Sequence, residues 1–111
     1  MSTFEKFSTE IETSPCTLEF NGSQLVVRGE FDMSNEYELA AALEMAPRPS
    51  GATVVDMSGV SFMDSSALHA FVRFHTEGNV LVVHHPSPSV VRLLELTSLD
   101  RVFSIELADP R

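Results

Sequence analysis

Apolar and polar positions divide the chain into short blocks of two kinds. "TLEF" at 17–20 and "QLVVRGEF" at 24–31 flank Asn21, Gly22 and Ser23. An Asn-Gly pair favours positive φ, so these blocks predict a hairpin of two antiparallel strands. The chain then turns at "DMSN". Ser34 or Asn35 is placed to cap a helix that runs to about Met45, with Glu36 and Glu38 in its first turn facing the positive end of the dipole. Pro47, Pro49 and Gly51 end that helix. "TVVDM" at 53–57 is a continuous apolar run rich in β-branched residues, as expected of a short strand in a parallel sheet buried on both faces.

From about Ser65 the spacing becomes helical, with Leu68, Phe71, Val72 and His75 at i, i+3, i+4 and i+7. Gly78 and Asn79 stop this helix, and "VLVVH" at 80–84 reads as another buried strand. "PSPSVVRLLEL" starts a third helix, with Ser87 capping and Pro88 at the first helical position, where its missing donor costs nothing. "RVFSIEL" at 101–107 makes a last strand. The order ββαβαβαβ, joined by right-handed crossovers, predicts an α/β fold whose sheet is mostly parallel after the opening hairpin. Residues 1–14 read as an N-terminal extension, and 15–111 as one domain.

Composition narrows the function. At 111 residues with 43% hydrophobic content, the chain suits a single globular core. Its apolar runs are too short for a membrane span, and its start lacks a signal-peptide pattern, so a soluble cytoplasmic protein is expected. A single cysteine, Cys16, permits no internal disulfide and reads as a small apolar filler. The net charge of −9 repels phosphate backbones, which argues against direct nucleic-acid binding. Eleven of the sixteen acids lie in residues 1–64, so any charged docking surface is acidic and belongs mostly to the first half.

Several chemistries fail on spacing. Adjacent His84 and His85 on a strand end are expected to point to opposite faces, and His69 and His75 fall on different sides of a helix, so no metal site is expected. Ser65, His69 and Asp64 lie close in sequence, but "MDSSA" lacks the small residues of a nucleophile elbow. No glycine-rich nucleotide loop occurs. A phosphoaspartate receiver is closer, with Asp56 ending one strand and Glu30 and Asp32 another. It requires a lysine after its last strand, whereas the only lysine is Lys6. Neither an enzyme nor a cofactor is expected.

"FMDSSALHAF" at 62–71 is what remains. With Asp64 as N-cap, Ser65 and Ser66 occupy a first turn whose N–H groups lack helical partners. An anion on Ser65 gains about 0.3 to 1 kcal/mol there from the free amides and the dipole. A phosphate would add about −1.5 to −2 charges beside Asp64 and oppose a partner docked over the turn. Binding could thus be switched without refolding.

These segments, in this order, resemble the STAS domain of bacterial anti-sigma factor antagonists over roughly residues 17 to 107. The resemblance rests on "VRGEFDMSN", where the family usually has a G-E-L-D segment, and on "VVDMSGVSFMDSSAL", where it has an apolar strand and a D-S-S-G-L type turn. "PSPSVVRLLELTSLDRVFSI" matches the closing helix and strand. It implies a STAS-type mixed sheet with packed helices and a non-enzymatic partner-switching protein. When unphosphorylated, such a protein binds an anti-sigma factor that is also a serine kinase, which frees a sigma factor for transcription. Phosphorylation of the serine after the motif aspartate ends that binding, and a serine phosphatase restores it. That serine matches Ser65, and Asp64 matches the flanking aspartate. Ser66, Leu68 and His69 fall on the exposed part of the family's docking surface, with Glu30 and Asp32 near it. A STAS scaffold or accessory subunit, in a stress-signalling or lipid-transport complex, is the alternative.

Two departures stand out. Ala67 replaces the usual glycine, which is expected to add a methyl group to the contact surface. "ELADPR" stands in place of the family's final helix, which is expected to be missing. The apolar surface so opened is expected to be covered by Phe4, Phe7 and Ile11, or by a second copy in a homodimer.

Overall fold

The computed structural model describes residues 16–106. Five strands form one mixed sheet in sequential order: β1 (Cys16–Asn21), β2 (Gln24–Phe31), β3 (Ala52–Met63), β4 (Val80–His84) and β5 (Ser104–Glu106). β1 and β2 are antiparallel, and every later pairing is parallel. Three helices make the crossovers: α1 (Glu36–Met45), α2 (Ser65–Thr76) and α3 (Pro88–Thr97). The expected order and mixed α/β class are therefore met. The expected extension at 1–14, with Phe4, Phe7 and Ile11, and the chain after Glu106 lie outside the described residues.

All three helices pack against one sheet face. Leu25, Val27, Phe31, Val55, Leu81 and Val83 share one core with Leu39 and Leu43 of α1, Phe71 and Phe74 of α2, and Val90 and Leu94 of α3. Strand alternation turns Val54, Asp56, Val82 and His84 to the opposite face. Burying the larger side chains contributes about 1.5 to 3 kcal/mol each, which pins the register of the central strands. Cys16 is buried at the start of β1.

The hairpin closes through Gly22 and Ser23, since Asn21 pairs with Gln24. Positive φ falls on Gly22 (63°) and not on Asn21. β3 corrects the expected strand 53–57, because it runs on to Met63. Two register shifts against β2 each insert an extra residue in β3, and its buried positions pass from Val55 and Met57 to Val60 and Met63. At the other end, the described part of the expected strand 101–107 is extended only over Ser104–Glu106. Ser98 caps α3 with φ 62°, and Leu99–Arg101 wind into a 3-10 turn that tucks Phe103 edge-on against His75, with centroids 5.8 Å apart.

Candidate functional site

β2 and β3 carry the site to one end of the sheet. Phe31 is in register with Met63 and Glu30 with Phe62, so the segments that leave both strands start side by side. The Asp64 N–H then donates to the Phe31 carbonyl at 3.1 Å, which fixes the start of α2 to the end of β2.

Asp64 is the N-cap of α2. Its Oδ1 accepts from the Ala67 N–H at 3.0 Å, and its carbonyl accepts from the Leu68 N–H at 3.1 Å. The Ser65 and Ser66 N–H groups remain without partners along the helix. Ser65 is exposed and Ser66 half-buried. His69 lies one turn on, on the same face as Ser65, with Nδ1 3.4 Å from Glu36 Oε2 of α1.

Asp32 opens the facing segment, in a 3-10 turn over Met33–Asn35. Its Oδ1 accepts from the Ser34 hydroxyl at 2.6 Å and the Ser34 N–H at 2.9 Å. These two bonds, the hydroxyl first, hold the Asp32 carboxyl below the usual aspartate value against a small opposing effect of burial. Asn35 stitches the turn from below. Its Oδ1 accepts from the Asp32 N–H and its Nδ2 donates to the Glu30 carbonyl, both at 2.9 Å. Asn35 occupies the N-cap position of α1, as expected, but its side chain makes no capping bond to that helix. The Asn35 side chain instead closes a reciprocal capping box with Asp32 around the 3-10 turn.

Glu30 near the end of β2, Asp32 in the turn after it, Asp64 between β3 and α2, and Ser65, Ser66 and His69 on α2 thus follow from the paired ends of β2 and β3. Leu68 is not part of that surface. It is 4% exposed and belongs to the core, which corrects its placement on the docking face. Ala67 is fully buried as well, so its methyl group packs inward and adds nothing to the contact surface. Two exposed apolar side chains join the site unanticipated: Met33 at 74% and Phe62 at 50%. Phe62 sits in the apolar-rich stretch "VSFM", and without the bulges its face was unreadable.

The comparisons agree with this layout. A family model described as Mlab, STAS domain, matches residues 16–107. An anti-sigma factor antagonist from Mycobacterium paratuberculosis is similar in structure, at 25% identity, with a TM-score of 0.62 over 84% of this chain and 85% of that one. SpoIIAA, an anti-sigma factor antagonist solved in its unphosphorylated form, shares 19% identity, with a TM-score of 0.55 over 86% and 89%. A candidate anti-sigma factor antagonist from Thermotoga maritima shares 18% identity, with a TM-score of 0.61 over 83% and 86%. None of the described helices is long and apolar enough to cross a membrane. With the family model matched across all of the described residues, the chain belongs to the STAS domain family.

Proposed function

We propose that the protein is an anti-sigma factor antagonist that works by partner switching. Unphosphorylated, it binds an anti-sigma factor serine kinase and so frees a sigma factor. Phosphorylation of Ser65 ends the binding, and a serine phosphatase restores it. The observation that carries this reading is that Ser65 is exposed on the first turn of α2, directly behind the Asp64 cap.

The physical case has two halves. Ser65 and Ser66 supply free N–H groups at the positive end of α2, so a phosphate is accommodated without unfolding the turn. The same phosphate adds about −1.5 to −2 charges to a rim that already holds several carboxylates, and it repels a partner suited to the neutral surface. Met33 and Phe62 supply the apolar contact for such a partner, while Asp64, Ser66 and His69 supply the polar rim. Relatives named as anti-sigma factor antagonists support the same role.

Intact mass after incubation with the anti-sigma factor kinase and ATP tests the reading. A single added phosphate, mapped to Ser65 and absent in Ser65→Ala, is expected. A phosphate mapped elsewhere, or none with any cognate kinase, removes Ser65 from the mechanism. One observation favours a second reading, a STAS accessory subunit whose serine is never phosphorylated: the matching family model is described by the name Mlab. The same measurement separates the two.

A further inference from the structure

A second cluster lies on the sheet face turned away from the helices. Asp56 is in register with His84, and His84 with Glu106, so the three side chains form one row across β3, β4 and β5. Their neighbours Val55 and Val83 point into the core, which sets the row on the opposite face. His85 follows the end of β4 with φ 52°, and its N–H donates to the Glu106 carbonyl at 2.7 Å. This left-handed residue corrects the expectation that the two histidines diverge. It turns the His85 ring back over His84, with centroids 3.8 Å apart and planes at 22°.

One ligand atom from each of Asp56, His84 and His85 lies within 4.8 Å of the other two. The Ser58 N–H and hydroxyl both donate to Asp56 Oδ1, at 2.9 and 2.8 Å, which orients the carboxylate and leaves Oδ2 outside those bonds. His84 Nε2 faces Glu106 Oε1 at 3.5 Å, while its Nδ1 is buried with no hydrogen-bond partner among the described residues. A buried polar atom left unpaired is costly and calls for an occupant. A histidine that binds a metal through one nitrogen and faces a carboxylate with the other has this arrangement.

We infer that Asp56, His84 and His85 form a binding site for one zinc-type divalent cation, with Glu106 orienting His84. Two imidazoles and a carboxylate suit Zn2+, and a water completes the tetrahedron. Bonds of about 2.0 to 2.2 Å require ligand atoms roughly 3.4 Å apart, so the three groups draw inward as the ion binds. Stacked imidazoles cannot both aim at one ion in their planes, so the His85 ring turns out of the stack. The ion then ties β3 to β4 and, through Glu106, to the short edge strand β5. The net charge of −9 favours cation approach.

Calorimetric titration of ZnCl2 into the chelator-stripped full chain tests the site, alongside Asp56→Asn, His85→Asn, Glu106→Gln and, as control, His69→Gln. Asparagine at 85 tolerates the left-handed backbone, and a thermal melt without zinc establishes that each variant is folded. One Zn2+ per chain is expected, lost in Asp56→Asn and His85→Asn, weakened about tenfold in Glu106→Gln, and unchanged in His69→Gln. No saturable binding to the parent chain overturns the inference. So does equal affinity in every folded variant, or a loss confined to His69→Gln, which would place the ion beside Glu36.

Discussion

Asp64 holds together two strands' ends and a helix start with three bonds from one residue. Its N–H binds Phe31, its carbonyl accepts from Leu68, and its side chain caps Ala67. Asp64→Ala is expected to lower stability by about 1 kcal/mol in urea unfolding, and Asp64→Ser to recover most of it, because serine also caps. Asp32 makes a pH prediction. Its carboxyl is held below the usual aspartate value by the Ser34 hydroxyl and N–H, so the ionised form is favoured in the folded state. That contribution is fully present above the unfolded value of about 3.9 and is lost as pH falls through the lower folded value. The stability gap between the parent and Asp32→Asn, read from urea midpoints, should therefore be larger at pH 7 than at pH 3. Asp64 and Ser87 were legible as caps because each directly precedes helical apolar spacing. Asn35 was legible as the N-cap of α1 by position, but its side-chain bonds run backwards to Glu30 and Asp32 rather than forward into that helix.

Among the elements, β3 departs furthest from its sequence pattern, and its bulges explain why. Through Met57 its buried residues alternate, and an apolar run of this kind was readable. Beyond Met57, two inserted residues break the alternation, and Ser58 and Gly59 look like the end of a strand. Only pairing with β2 carries the chain on to Met63, and pairing is not written in a local pattern. Gly59 has its own reason. A Cβ there would meet Arg28 Cγ at 2.7 Å, because the Arg28 side chain crosses it on the way to Glu19, where its guanidinium donates at 2.6 Å. Gly59→Ala is expected to cost about 1 to 3 kcal/mol by overpacking. Most of that cost should vanish in an Arg28→Ala background, which a double-mutant cycle reads directly. The same limit on local pattern hid the turn of His85, since only its left-handed φ brings the two rings together.

At the scale of the whole molecule, the fold is one layer of helices on one face of a mixed sheet, and its two candidate sites lie apart in the chain's layout. Ser65 stands where β2, β3 and α2 meet, and the Asp56 row crosses the other face. The class, the order of elements along the chain and the parallel crossovers were legible because glycine, proline and capping residues punctuate the blocks. The composition of the docking surface was not, because burial of Leu68 and Ala67 and exposure of Met33 and Phe62 depend on tertiary packing. Replacing both Met33 and Phe62 by serine should change stability by only about 0.5 kcal/mol per site, as for exposed positions generally. Binding to the anti-sigma factor should nonetheless weaken strongly in pull-down, since these are the apolar centre of the proposed contact.

The central claim is that charge gained at residue 65 changes which partner docks and leaves the domain folded. Calorimetric titration of the anti-sigma factor kinase with the parent chain, Ser65→Ala and Ser65→Glu measures it most directly. Ser65→Ala should bind as tightly as the unphosphorylated parent, and Ser65→Glu at least about tenfold more weakly, a loss of about 1.4 kcal/mol. Equal affinity for all three folded proteins would contradict the account.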